Sequence, residues 1–317
     1  MSAPAAVRVE QLVKRYDATT ALDGVSVDVG PGELFGFIGP DGAGKTTLFR
    51  ILVTLLLPDA GRAEVLGLDP TRELWELRRR VGYMPGRFSL YADLSVAENL
   101  RFFASVFGTT VAAQRETIAP IYDQLAPFAD RRAGALSGGM KQKLALCCAL
   151  VHRPDILFLD EPTTGVDAVS RREFWDLLAG LRATGLTTLV STPYMDEAGR
   201  CDRVALMQRG RLLAVDAPAA ITASFGRPLL GARAADRYAL LRAVRGWPTI
   251  GSAYPFGETV HVTDARDGVP AARSAEELAA HLRAAGLGDA TVAEAAPTIE
   301  DVFMARMGDA GGAEEAA

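Results

Sequence analysis

Residues 39–47 read Gly-Pro-Asp-Gly-Ala-Gly-Lys-Thr-Thr. The spacing Gly39-x-x-x-x-Gly44-Lys45-Thr46 is that of a loop that wraps backbone N–H groups around phosphate. Glycine lets the chain approach the anion closely. A helix that opens at the loop adds the positive end of its dipole. Lys45 would reach the β- and γ-phosphates, and the Thr46 hydroxyl would hold Mg²⁺. Asp41, Gly42, Ala43 and Thr47 complete the cradle.

A second acidic element lies downstream. The apolar run 156–159 ends in Asp160-Glu161. A buried strand of this kind delivers its last carboxylate to the carboxyl edge of a sheet. There Asp160 can hold Mg²⁺, usually through water, and Glu161 can act as general base on an attacking water. An acidic pair after an apolar run is common by itself; its pairing with the upstream loop gives it meaning. Ser137-Gly138-Gly139 begins 23 residues before Asp160. A Ser-Gly-Gly stretch that opens a helix offers a hydroxyl and free N–H groups to an anion.

Taken together, these segments resemble the ABC-type ATPases over about residues 7–225. Gly39–Thr46 looks like the Walker A loop, and residues 137–140 like the signature. Residues 156–161 look like Walker B with its catalytic glutamate, and residues 165–167 like the D-loop. Tyr16, in Lys-Arg-Tyr, looks like the aromatic that stacks on adenine. The resemblance implies ATP and Mg²⁺ as cofactors. It also implies a second nucleotide-binding domain, a copy of this chain or a different one, packed head to tail. Residues 297–303, Pro-Thr-Ile-Glu-Asp-Val-Phe, resemble the tail domain of ATP-binding subunits of drug and antibiotic exporters. The expected partner is an integral membrane permease on a separate chain. The family docks it at the segment 88–94, where Phe88, Leu90 and Tyr91 suit an apolar groove.

Two positions depart from the family pattern. After Gly82-Tyr-Met-Pro85 the family usually carries a glutamine that touches Mg²⁺ and water; here the residue is Gly86. In 191–198, Ser-Thr-Pro-Tyr-Met-Asp-Glu-Ala, the position of the histidine that contacts the γ-phosphate is Pro193. Met140 and Asp41 are milder changes. Of the three histidines, His152 precedes the Walker B strand, and His261 and His281 lie in the tail domain. All three read as surface or packing residues. Retention of Lys45 and Glu161 without the two helpers is consistent either with a site that holds ATP and turns it over slowly, or with a subfamily that positions water another way, with Glu161 sufficient.

The elements that must position these residues alternate. Apolar/polar alternation marks strands at 7–12 and 21–29. An apolar strand at 34–38 feeds the loop, and a helical pattern follows to Leu57. Helices are expected at 72–80, 95–107, 113–125 (with Pro120 as a break), 137–151 and 171–182. Strands are expected at 156–159, 187–191 and 203–207, with a short helix at 195–201. This alternation implies a mostly parallel sheet covered by helices. The fold expected is thus an α/β P-loop NTPase of ABC type with a helical subdomain at about 87–150. The composition shifts near 225–228. Beyond it the order βαββαβ suggests a small α+β ferredoxin-like domain at 229–307, and the Gly/Ala/Glu-rich stretch 308–317 reads as a flexible tail.

Composition sets the remaining bounds. The 317 residues allow about two domains. The net charge of −5 supplies no basic surface for nucleic acid. Three cysteines, Cys147, Cys148 and Cys201, form neither a disulfide framework nor a zinc spacing. No apolar run approaches the roughly 18–20 residues needed to span a bilayer. The expected location is cytoplasmic, peripheral on the inner face of the membrane through the permease. The 92 residues from Lys45 to Ser137 have no room for the long coiled coil of chromosome and repair ATPases. One cassette with net negative charge does not match ribosome-binding factors. The rival reading is a soluble ABC-type ATPase with a regulatory or resistance role.

Overall fold

A computed structural model describes residues 4–87 and 89–314, with side chains to Met307. The chain divides into two compact units, Met1–Pro218 and Ala219–Ala317. The division falls before the composition shift at 225–228, so the segment 219–228 belongs with the C-terminal unit.

The first unit is built on a six-stranded sheet. Its strands are β3 (Leu34–Ile38), β5 (Val81–Met84), β6 (Ile156–Asp160), β7 (Thr187–Thr192), β8 (Arg203–Gln208) and β9 (Arg211–Asp216). Their order is β5-β6-β7-β3-β8-β9, parallel except for the last pair. Strands β3, β6 and β7 are buried along their whole length. Strands β3 and β6 are apolar almost throughout, as strands buried on both faces tend to be, whereas β7 buries Thr187, Thr188, Ser191 and Thr192 as well. Three more strands, β1 (Val7–Tyr16), β2 (Thr19–Val29) and β4 (Ala60–Val65), form an antiparallel sheet ordered β2-β1-β4. Phe35, Phe37, Phe49 and Phe158 fill the core beneath the phosphate loop, with edge-on contacts at 5.5–5.7 Å from Phe49 to Phe37 and Phe158.

The helices are α1 (Lys45–Leu52), α2 (Leu74–Arg80), α3 (Val96–Val106), α4 (Arg115–Leu125), α5 (Gly138–Leu150) and α6 (Ala168–Ala183). Helix α1 stops well short of Leu57. Thr54 turns to φ 67°, and Leu55 and Leu57 remain exposed. Pro120 does not break α4. It lies on the exposed face of a continuous helix, as does Glu116, whose carbonyl loses its bond. Solvent replaces that one bond. Helix α3 begins with a reciprocal cap. Ser95 Oγ accepts from the Glu98 N–H, and Glu98 accepts from the Ser95 N–H at 2.8 Å. Helix α5 is buried nearly all round from Leu144 to Val151. Burial pushes up the thiols of Cys147 and Cys148, and that of Cys201 to about 12, so all three stay protonated packing groups.

The second unit contains α7 (Pro218–Ala223), which starts at the boundary, β10 (Leu229–Arg233), α8 (Arg237–Arg245), β11 (Ile250–Phe256), β12 (Thr259–Asp264), α9 (Ala271–Ala284), β13 (Thr291–Ala295) and α10 (Ile299–Glu314). The antiparallel order β11-β12-β10-β13 is the ferredoxin-like arrangement. Its core is closed by Leu240, Val244, Leu278 and Leu282 from the two helices packed on the sheet. Helix α10 runs on to Glu314, so 308–314 are helical where a loose tail was expected. Residues 315–317 lie outside the described residues. None of the described helices is long and apolar enough to cross a membrane.

A part-buried polar knot joins β12 to α9. Asp264 accepts from the Arg266 guanidinium and from Ser274 Oγ, and Arg266 also reaches Glu277. Hydrogen bonds from Arg266 hold the Asp264 carboxyl well below the usual carboxylate range. A depressed folded-state value means the stabilisation is complete above the unfolded value and drains away as pH falls below it. Asp264→Asn is therefore expected to destabilise the C-terminal unit at pH 7. The difference from the parent chain should narrow as pH drops below about 4, read by denaturant unfolding at both pH values.

Candidate functional site

Strand β3 ends at Ile38, and the loop that follows returns the chain to α1. Gly44 is the turning point, with φ 105°. A side chain there would place its Cβ 2.4 Å from the Ala21 carbonyl oxygen, so only glycine closes the loop against β2. Lys45, the first residue of α1, is 3 % exposed. Its ammonium donates to the carbonyls of Gly39 at 2.7 Å and Pro40 at 3.0 Å, and lies 3.3 Å from a Glu161 carboxylate oxygen. The charge is thus held inside the loop, at the point where phosphate oxygens would replace the carbonyls.

Asp160 ends β6 on the same edge of the sheet. Its Oδ1 accepts from Thr46 Oγ1 at 3.0 Å and from Ser191 Oγ at 2.6 Å. The Glu161 N–H donates to Ser191, and Glu161 itself sits at φ 50°, a left-handed conformation that turns the chain off the strand end and across the loop. Lys45, Thr46, Asp160 and Glu161, read as four parts of one site, therefore do converge. Hard oxygens from Thr46 and Asp160 suit Mg²⁺. Beside Asp160 lies Tyr83 on β5, whose hydroxyl is pushed up to about 12 by burial, with the Asp160 charge adding to the shift. It is a neutral neighbour, not a base.

The other expected residues lie apart from this centre. Tyr16 is exposed at the end of the β1–β2 hairpin, whose residues Ala21 and Leu22 border Gly44. Ser137 caps α5, accepting from the Met140 N–H, and Ser137 and Gly138 are exposed. Gly139 is buried, and a Cβ there would lie 2.6 Å from Ser170 on α6. No hydrogen bond among the described residues links Ser137, Gly138 or Gly139 to the phosphate loop. Asp41 and Gly42 are exposed at the loop tip, Ala43 is buried, and Thr47 is half-buried.

Three residues escaped the sequence reading. Ser191 ties Asp160 and Glu161 to β7. Thr192 offers its carbonyl to the Gly39 N–H at 3.2 Å. Glu197, 4 % exposed, accepts from the hydroxyls of Thr192 and Thr163 and faces Arg171 at 3.8 Å. Glu197 thereby braces the segment 192–197 against the residues just after Glu161. Their signal was present as a cluster of Ser, Thr and Glu on either side of Pro193. Gly86 lies where a Cβ would be 3.0 Å from the Asp160 carbonyl and 3.6 Å from Glu161, which puts its position at the site.

The model of the ABC transporter family matches residues 22–164. The chain is 35% identical over 312 residues to the daunorubicin/doxorubicin resistance ATP-binding protein DrrA of Streptomyces peucetius, covering 96% of this chain and 92% of that one. This chain belongs to the ABC transporter ATP-binding proteins. It is also 38% identical over 317 residues to the probable multidrug ABC transporter ATP-binding protein YbhF of Escherichia coli. That match takes in 98% of this chain and 53% of YbhF, so the chain spans about half the length of the first curated relatives it matches. Among solved structures, CbiO1 from Clostridium perfringens, part of the ABC transporter complex CbiONQ, superposes with a TM-score of 0.62 at 28% identity. It covers 69% of this chain and 91% of its own.

Lys45→Ala removes the ammonium that the loop encloses. The expected result is a loss of Mg-ATP affinity of about one to two orders of magnitude, the worth of a charge-assisted hydrogen bond, measured with a fluorescent nucleotide analogue.

Proposed function

We propose that this chain is the ATP-binding subunit of an ABC exporter, working with a membrane permease on a separate chain. The convergence of Lys45, Thr46, Asp160 and Glu161 on one sheet edge carries this reading. Lys45 and the loop N–H groups bind the β- and γ-phosphates. Thr46 and, through water, Asp160 would hold Mg²⁺, which when bound would neutralise charge on those phosphates. Glu161 accepts the proton of the attacking water, and its release from Lys45 on phosphate entry frees the carboxylate for that task.

Ser137 and Gly138, exposed and unbonded to the loop, are available to a second cassette. A head-to-tail pair, of two copies or of different chains, completes each site in this reading. ATP then shifts the pair between closed and open arrangements and drives the permease at the inner face of the membrane.

An apolar groove of about 540 Å³ supports the permease part. Leu55, Trp75, Leu90, Val106, Phe107 and His152 lie along it. The loop that forms its rim is held by Asn99, whose amide accepts from the Tyr91 N–H and donates to the carbonyls of Tyr91, Leu94 and Ser95. Leu90 lines the groove. Tyr91 instead packs edge-on against Phe102 at 4.9 Å, and Phe88 lies outside the described residues. His152 stacks on Phe107 at 3.8 Å and donates to the Val81 carbonyl at 3.1 Å; burial lowers its pKa, so it is a neutral wall. Trp75 and Val106 are exposed. The variants Trp75→Asp and Val106→Asp should fold normally and lose membrane co-purification with the permease. Retained co-purification would overturn the docking assignment.

We further propose that hydrolysis at this chain's own loop is slow. Pro193 follows Thr192 at the phosphate edge and offers neither a side-chain donor nor an N–H. Gly86 offers no amide to position water. The loss of one positioned group is worth about 10²–10⁴ in rate. Pro193→His should raise ATPase turnover several-fold. Brisk turnover by the purified parent chain, abolished by Glu161→Gln, would sink the slow-site reading while leaving the nucleotide site intact.

A further inference from the structure

The C-terminal unit holds a small polar cavity, of about 150 Å³, that nothing in the ATPase reading uses. Its wall includes Arg227, Ser252, Tyr254, His261, Thr263 and Asp301. We propose that this cavity binds the anionic oxygen group, carboxylate or phosphate, of a small ligand.

The argument begins with His261 on β12. Its Nδ1 lies 2.7 Å from Asp301 Oδ1 on α10. An ionised carboxylate can only accept, so Nδ1 carries the proton. The second oxygen, Asp301 Oδ2, is taken by the Thr298 N–H at 2.8 Å and the Thr298 hydroxyl at 2.7 Å. Both oxygens of Asp301 are thus engaged. The ring plane is fixed by Phe256, stacked at 4.3 Å with 23° between planes. His261 is 6 % exposed and Asp301 7 %. That leaves His261 Nε2 as the one uncommitted polar atom of the ring. It has no partner among the described residues, and the ring forms part of the cavity wall. An imidazole oriented and electrostatically backed by a carboxylate is a group prepared for a further bond at its free nitrogen.

The nature of the missing partner follows from the charges around the cavity. With its proton on Nδ1, the free ring offers a lone pair at Nε2; on binding an anion the ring takes up a proton with the ligand, so that one imidazolium bridges Asp301 and the bound group, donating from both nitrogens. Arg227, an exposed residue of the wall, makes no ion pair with any described residue. A guanidinium fork matches the geometry of carboxylate and phosphate oxygens. Inside, Ser252 Oγ and Thr263 Oγ1 are bonded to each other at 2.7 Å, which leaves one hydroxyl hydrogen of the pair to donate further. A bound oxyanion would thus receive hydrogen bonds from Nε2–H of the protonated ring, from the Arg227 guanidinium and from the free hydroxyl hydrogen. The volume equals roughly five waters at about 30 Å³ each, enough for the acidic group and a few attached atoms. A bound anion would bridge the segment before β10, strand β12 and helix α10.

The test uses the full chain and the fact that it has only three histidines. Side-chain resonances of His152, His261 and His281 are followed by nuclear magnetic resonance during titration with inorganic phosphate and, separately, with acetate and citrate. The expected result is a saturable shift of His261 alone. The same shift should appear in Lys45→Ala, which separates it from phosphate binding at the nucleotide loop. Arg227→Gln, at an exposed residue outside the packing, should weaken the effect by about tenfold or more. Saturation by phosphate alone assigns a phosphate group, and saturation by the carboxylates alone assigns a carboxylate. No saturable change at His261 with any of the probes, or a change that Arg227→Gln leaves intact, would overturn the proposal.

Discussion

One buried carboxylate oxygen organises the nucleotide site. Asp160 Oδ1 takes hydrogens from Thr46 at the start of α1 and from Ser191 near the end of β7. Asp160 itself is 2 % exposed. Three elements that are distant in sequence thus meet at a single atom. A buried carboxylate without donors is costly, so the hydroxyls are a condition of its being there at all. The same two bonds fix the angle at which the strand end hands over to Glu161. Its left-handed backbone then carries the second carboxylate back across the loop to Lys45. The glycine-rich loop, the acidic edge and Glu161 are therefore one connected polar body.

Much of this was legible in the residues. The Gly39–Thr46 spacing, the apolar strand before Asp160 and the Ser-Gly-Gly start of α5 all lie on the elements expected of them. The C-terminal βαββαβ order was readable because its strands alternate and its helices carry clear apolar faces. Other parts were hidden for identifiable reasons. Strand β4 reads Ala-Gly-Arg-Ala-Glu-Val, with only two buried positions, so its pattern is too sparse to mark a strand. Strand β5 is four residues long and follows an arginine-rich helix without a break. Pro120 suggested a helix break because local rules count the lost bond but not the solvent that replaces it. The apolar run to Leu57 suggested a longer α1, since periodicity cannot reveal a left-handed residue at Thr54.

Within the site, residue types that act through common side chains were the hardest to see. Ser191, Thr192 and Glu197 carry no motif in isolation. Their work depends on β7 lying between β6 and β3, a fact of sheet order rather than of local pattern. Asn99 is similar. An amide inside a helix looks unremarkable until the loop 91–95 folds over it and uses both of its polar atoms.

The place of β3 in the sheet has a consequence for how the chain is made. This strand, which delivers the phosphate loop, has β7 on one side and β8 on the other, and its neighbourhood is sealed by the bond from Gly32 to Thr187, 155 residues later. At synthesis rates of about 5–20 residues per second, β3 waits on the order of 10–30 s on the ribosome before either neighbour exists. During that interval an apolar strand and a glycine loop have no sheet to join. Pairings this remote also make for slow closure once the chain is free. The β1–β2 hairpin, local and already complete when β3 emerges, is the one partner sheet available to shelter it. Birth of the nucleotide site is thus a late event, set by the arrival of residues 187–206 rather than by the loop that defines it.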